Sequence, residues 1–449
     1  MRRPLIVAAV SLLAAVGGQA AVRYDLAANG VVATIDGEPM SAASLGVLHK
    51  IAARRDIRTP LSKVLASVID NRLLGDYARQ NFRADQLYPS THVGFPFDVQ
   101  IEDQLVATLR RVYGREIETA LAAEPTGSLT GTITRPFSLK REILAGIVQS
   151  PGGLQLSDQL SQAQEQQARA TELLRYRFGD EKEASLSLWD VYRRLNVQAR
   201  QAVRGLDLAQ LEQFTREALS ARYVQYWVRQ NSGLSPSDLR QLRRYIEDRS
   251  RRGEYLRLVG LEADMHYDSA HIKQLAAEVT PAEIRAYYDA NKPEFRRIEK
   301  VRARHLHVAD ETTAQKLYEA LNAGADFGGL AKQHSLASDR DTGGDLGWIT
   351  HREGLNWLEQ TAYALPQGLG KPIRRPQLPG MADGWEIVLV EEKVEGYQAP
   401  ESESVRYVAS QAIARKKALG QFKTLREQLY KTADIRLNPT YISGKLDTP

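Results

Sequence analysis

Two histidines stand two residues apart in the stretch VRARHLHV, residues 301–308. The stretch reads as a β-strand, and strand alternation puts Ala303, His305 and His307 on one face. Imidazole is the side chain whose ordinary titration lies nearest neutral pH, so such a residue can carry charge, hold a proton or ligate a metal. It can equally be a strand histidine satisfied by its neighbours. A metal held by His305 and His307 needs a third ligand, and none stands close by. No metal and no cofactor is expected. The chain contains no cysteine, which excludes disulfides, thiolate metal sites and a lipid-modified N-terminal cysteine.

A second informative stretch is HSLASDRDTGGDLGW, residues 334–348. A polar, turn-rich run leads into Gly343, Gly344, Asp345, Leu346 and Gly347. Glycine permits positive φ and close backbone approach, so a tight turn opening into a short apolar strand is predicted. Asp345 is expected to bond to backbone within that turn.

The surrounding elements follow from caps and periodicity. Thr280-Pro281-Ala282-Glu283 is a capping box with proline at the first helical position, starting a helix that runs to about Asn291. After the histidine strand, ETTAQKLYEALNAG is an amphipathic helix ending at the C-cap Gly324. Asp326 caps a short helix, FGGLAKQHS; NWLEQTAYAL is a third helix and GWEIVLVEE a closing strand. The order β-α-α-β-α-β is that of a compact α+β domain. Nearer the N-terminus, VVATIDGEPMS (31–41) reads as a hairpin around Asp36-Gly37, and Ser41 is placed to cap a helix from Ala42. Thr59-Pro60 opens a second helix with Leu61, Val64, Leu65, Val68 and Ile69 at helical spacing. Residues 82–96 read as a loop. The stretch from about 97 to 275 reads as helical with breaks at 124–137, 150–153 and 232–236, and the glutamine-rich piece 155–174 as an exposed helix. Residues 401–432 form one long polar helix, and ADIRLNP after it is a short strand expected to pair with VVATID.

The chain has 449 residues, too long for one ordinary core, so two or three domains are expected. Hydrophobic content of 43% and charged content of 26% place it among soluble globular proteins. Its net charge of +5 is small for this length. The arginines between 236 and 257 alternate with acidic residues and read as a solvated helix face laced with ion pairs. No nucleic-acid partner is expected. Arg2 and Arg3 precede an apolar run from Leu5 to Val16, and Gly18-Gln19-Ala20 supplies small residues for cleavage, the layout of a secretory signal peptide over residues 1–20. The run is well short of the roughly 20 residues of a spanning helix, so no stable membrane anchor is expected.

ARHLHV, GADFGGLAKQHS, GGDLGW and GWEIVLVEE, taken together over 298–393, resemble the parvulin family of peptidyl-prolyl isomerases. The flanks, VVATIDGEPMS with a helix containing VIDNRLL, and TPAEIRAYYDANK, resemble the SurA type of periplasmic chaperone. The resemblance implies a helical chaperone-like domain over 21–297, a parvulin domain with a small antiparallel sheet over 298–393, and a C-terminal helix and strand over 394–449 that pack on the N-terminal domain. It implies an exported, periplasmic isomerase and folding chaperone for unfolded or proline-containing polypeptides, secreted or of the outer membrane. The alternatives are a non-catalytic holdase with a degenerate parvulin domain, or a scaffold dedicated to one export pathway. The oligomeric state is left open.

The family's site residues carry over one position at a time. Its first histidine falls on His305, the expected catalytic residue. The leucine of its DLG turn is Leu346; the pocket phenylalanine falls on Leu358, beside Trp357, and the pocket methionine near Gly354 and Leu355. These, with Glu386, are the expected substrate-binding residues. Two positions depart from the family. Ala337 stands where it has a cysteine or aspartate, and Glu386 where it has its second histidine. A glutamate facing His305 is expected to form an ion pair with it. Rotation about a prolyl bond breaks no bond, so an apolar seat and well-placed polar groups are the chemistry required.

Overall fold

Strand Val31–Ile35 is hydrogen-bonded on both sides, and the two partners come from opposite ends of the sequence. One is Glu38–Ser41, joined through a turn in which Asp36 and Gly37 both have positive φ. The other is Ile435–Leu437, antiparallel, with Ala33 opposite Leu437. The pairing expected of ADIRLNP therefore forms. The computed structural model describes residues 22–88, 96–124, 126–149, 159–262, 269–442 and 446. The expected signal peptide, 1–20, lies outside them, as does 89–95 of the expected loop.

The chain divides into two compact units, 1–270 with 418–449, and 271–417. In the first, the small sheet shares a core with helices Ala42–Ala53, Leu61–Asn81, Phe97–Ala122, Leu208–Asn231 and Pro236–Leu258. Ser41 caps the first of these, its hydroxyl accepting from the Ser44 N–H. Residues 84–87, within the segment expected to be loop, form a helical turn.

The region 97–275 is not helical throughout. Strands Ile133–Arg135, Glu172–Tyr176 and Ala184–Ser187 form a second antiparallel sheet. The glutamine-rich helix accordingly stops at Ala170, and the piece TELLRY turns to strand. Burial of Leu174 and Tyr176 two residues apart, toward one core, wins over the helical reading of the preceding glutamines. The arginine-rich helix Pro236–Leu258 is also not wholly solvated. It packs so closely on Leu61–Asn81 that a Cβ at Gly75 would crowd the backbone of Asp248. The buried Asp248 carboxylate pairs with Arg72 at 2.7 Å and Arg244 at 3.0 Å.

The second unit is built on a five-stranded antiparallel sheet. Its path runs Asp345–Thr350, Arg296–Val308, Trp385–Tyr397, Gly368–Leu369, and Ile373–Arg374 pairs with the third of these further along. The capping box at Thr280 forms as expected, and Asp326 caps Phe327–His334. Leu306, Val308 and Ile387 pack on one face against helices Glu311–Asn322 and Phe327–His334. Val301, Ala303, Val388 and Val390 pack on the other, against Ile349 and helix Trp357–Ala364.

Leu437 is fully buried beside the central strand. Leu437→Ala should lower the unfolding free energy of the first unit by about 2–4 kcal/mol, measured by denaturant titration. A loss under about 0.5 kcal/mol would mean that this strand adds little to the core.

Candidate active site

His305 lies on the sheet face shared by Ala303 and Val388 and is directly opposite Val388; Glu386 is opposite His307. The diagonal between the two strands brings His305 Nδ1 to 3.0 Å from Glu386 Oε2. Its other nitrogen, Nε2, is 2.8 and 3.0 Å from the two carboxylate oxygens of Asp339. Both ring nitrogens therefore face acceptor-only groups. A neutral imidazole would point one lone pair at a carboxylate oxygen; the imidazolium donates to both. The same conclusion follows from the balance of forces on the ring. Burial pushes its pKa down, but the hydrogen bond and charge of Glu386, followed by the charge and hydrogen bond of Asp339, push it up by more, and it titrates above 6.5.

Glu386 is fully buried, and its second oxygen faces Arg375. Arg375 Nε is 3.1 Å from Glu386 Oε1 but lies off the direction of a hydrogen bond, so the two form an ion pair without one. Arg375 is fixed in turn. Its backbone N–H donates to the Gly384 carbonyl at 2.9 Å and its Nη1 to the Ala382 carbonyl at 3.1 Å. These bonds close a hairpin around PQLPGMAD. His307 takes no part in the ion pairs: its Nε2 donates to the Asp383 carbonyl at 3.1 Å. Among the described residues, no group of three or more metal-ligating side chains includes His305 and His307.

The turn that delivers Asp339 is tied to the histidine strand at several points. The Ser335 hydroxyl accepts from the N–H groups of His307 and Ala337, and the Leu336 N–H donates to the His307 carbonyl at 2.8 Å. The Gly344 N–H donates to the Asp339 carbonyl, and the Gly344 carbonyl accepts from the His305 N–H at 2.9 Å. Gly344 has φ of +67°, and a Cβ there would collide with the His305 carbonyl oxygen. That is why this turn needs glycine. Asp345 accepts from the Gly347 N–H at 2.9 Å, the backbone bond expected of it.

Beside His305, the half-buried Leu346, Leu355 and Leu358 pack on Val301, Ala303, Ile349, Val388 and Val390. These contacts are aliphatic, and the ring of Tyr363 packs on the same cluster. Trp357 starts the same helix as Leu358 and is half-buried, but among the described residues it does not join this cluster. Glu386 sits behind His305 with no exposed side-chain surface, so it reaches a bound group only through the imidazole. Sequence reasoning missed two members. Asp339 supplies the carboxylate that Ala337 lacks, from two residues further along, and Arg375 comes from the base of the hairpin, just before PQLPGMAD. The signal for Arg375 was Glu386 itself, since a buried carboxylate needs a cation beyond one imidazole.

Residues 279–406 match the PPIC-type PPIASE domain. This region is a parvulin-type peptidyl-prolyl isomerase domain. Curated relatives include the foldase protein PrsA of Caldanaerobacter subterraneus, 32% identical over 38% of this chain and 52% of that protein. The chaperone SurA of Nitrosospira multiformis is 32% identical over 31% of this chain and 32% of its own length. The chain thus spans about half, or less, of the curated relatives it matches. A solved chain described among SurA-like chaperones of Campylobacter jejuni is 20% identical, covers 50% of this chain and 83% of its own, and has a TM-score of 0.21. Within the parvulin domain, Glu386 and Asp339 hold the histidine from opposite sides. Among the described residues, no helix is long and apolar enough to cross a membrane.

The raised His305 pKa ties stability to pH. Its stabilising contribution is complete below about 6.5 and is lost as pH rises through the higher folded value. The stability difference between wild type and His305→Asn should therefore shrink between about pH 6 and pH 9 in denaturant titrations; a constant difference would rule out a charged imidazole. Separately, Gly344→Ala should destabilise the parvulin domain by roughly 2 kcal/mol or more, read as a lowered unfolding midpoint, because positive φ and the His305 carbonyl both oppose a side chain.

Proposed function

We propose that the chain is an exported prolyl isomerase that acts on unfolded, proline-containing polypeptides, with His305 as the catalytic residue. The observation that carries this reading is a histidine held as a cation by Glu386 and Asp339 beside the aliphatic face of Leu346, Leu355 and Leu358. The proline ring is seated on that face. Isomerisation faces a barrier of roughly 18–20 kcal/mol set by amide resonance, and the twisted amide is less polar than the planar one. An apolar seat therefore favours the transition state over the ground state. With both ring nitrogens committed to carboxylates, His305 contributes charge and position, not proton transfer. Asp339, partly exposed, is the carboxylate nearest solvent in this group, and Glu386 is a positioning residue. Export into the periplasm is supported by the leader-like residues 1–20 and by the relatives' names, one of which is a periplasmic chaperone.

A second reading has its own support. The His305 side chain is only 6% exposed, which suits a domain kept for binding, in a holdase that does not turn over. A protease-coupled assay on an X-Pro peptide separates the two, run on residues 21–449 with aggregation of an unfolded client followed on the same samples. Wild type should accelerate isomerisation, His305→Ala should lose roughly 10–100-fold in kcat/KM, and Asp339→Asn should lose less. No acceleration by wild type, with aggregation still suppressed, would select the holdase.

A further inference from the structure

We propose that Arg375 is a positioning residue of this site, and that the hairpin carrying it takes the place of a second histidine in completing the His305 cluster. The inference rests on the isomerase reading of the site and adds a member to it. The cluster holds two carboxylates, Glu386 and Asp339, and two cations, Arg375 and the His305 imidazolium. Glu386 shares one oxygen with each cation, at 3.1 Å to Arg375 and 3.0 Å to His305. Its orientation toward His305 is therefore set by Arg375 from behind. Arg375 is itself 84% enclosed, its side chain being 16% exposed, and is anchored to Gly384 and Ala382 across the hairpin. The position of Glu386, and through it of the imidazole, depends on the hairpin that continues from the short strand Ile373–Arg374.

The charged groups facing this cluster come from each neighbouring element. The histidine strand gives His305 and His307, the closing strand gives Glu386, the turn before Gly343 gives Asp339, and the hairpin gives Arg375 and Asp383. His307 donates to the Asp383 carbonyl and stands 3.5 Å from Arg375 Nη1, so its ring is committed to the hairpin backbone and not to Glu386. The Asp383 carboxylate faces Arg374, at 3.7 Å. Arg375 is thus the cation that offsets Glu386. Without it the imidazolium alone answers two carboxylates, and deprotonation becomes harder. With Arg375 kept and Glu386 neutral, deprotonation becomes easier. The two substitutions move the His305 titration in opposite directions, a result that mere loss of packing does not produce.

The test follows the His305 titration by NMR on the full chain labelled with 13C-histidine, with His305→Asn providing the assignment, alongside the pH profile of kcat/KM for an X-Pro peptide. Arg375→Gln should raise the midpoint, and any alkaline limb of the profile, by roughly half a unit to one unit, and Glu386→Gln should lower both. Arg375→Lys should bring the midpoint back toward wild type, because the contact uses one nitrogen and no paired fork. An unchanged midpoint in Arg375→Gln, or a lysine variant that behaves as the glutamine one, would overturn the proposal. If Arg375→Gln does not fold, Glu386→Gln is compared with the Glu386→Gln/Arg375→Gln double variant, which leaves no buried carboxylate unpaired; the second change should again raise the midpoint, and no change would overturn it. The titration is read whether or not the chain turns over, so a wild type without isomerase activity removes the isomerase reading while the shift still decides the role of Arg375.

Discussion

A buried histidine with a carboxylate on each nitrogen is a cation by construction, and the parvulin domain is arranged around that demand. Two negative groups can be brought this close inside a fold only if positive charge lies between or behind them. His305 is the charge between, and Arg375 the charge behind. Each carboxylate then needs an element that delivers it: the closing strand for Glu386, by its register with the histidine strand, and the glycine turn for Asp339. The aliphatic side of the site is the part free of this bookkeeping, since Leu346, Leu355 and Leu358 need only shape.

The glycine turn shows how closely backbone and electrostatics are coupled. Gly344 receives the His305 N–H on its carbonyl and gives its own N–H to Asp339, so one residue links the ring's main chain to the ring's anionic partner. A side chain at Gly344 would push the turn off the strand and take Asp339 with it. The turn sequence that marks the family is therefore part of the charge geometry here, although none of its glycines carries charge.

Much of this was legible in the sequence where a local rule operates. Capping residues Ser41, Thr280 and Asp326 announced helix starts, and the alternation of VRARHLHV placed His305 on the face where it is found. The contact of His305 with Glu386 followed from a family position, and it forms. What escaped depends on three-dimensional proximity with no fixed offset. Asp339 reaches the ring because Ser335 and Gly344 bend the turn by hydrogen bonds that spacing alone does not reveal. Arg375 stands at the base of a hairpin, and its partner is a residue on another strand. The sheet of residues 133–135, 172–176 and 184–187 was hidden for a related reason. Short strands carry few periods of alternation, and the glutamine-rich helix beside them masked the switch.

The sheet of the first unit carries a different consequence, one of timing. Val31–Ile35 leaves the ribosome ahead of the parvulin domain, yet one of its two edges stays unpaired until residues beyond 433 have followed. In the interval the whole parvulin domain is synthesised, and it can fold on its own contacts while the strand waits. Closing so long a loop adds little free energy beyond that of a shorter one, because the entropic cost grows only with the logarithm of length. Its cost is in delay, during which an open strand edge is available to any other extended chain. The nascent protein thus passes through a period in which it resembles the kind of polypeptide proposed as its substrate.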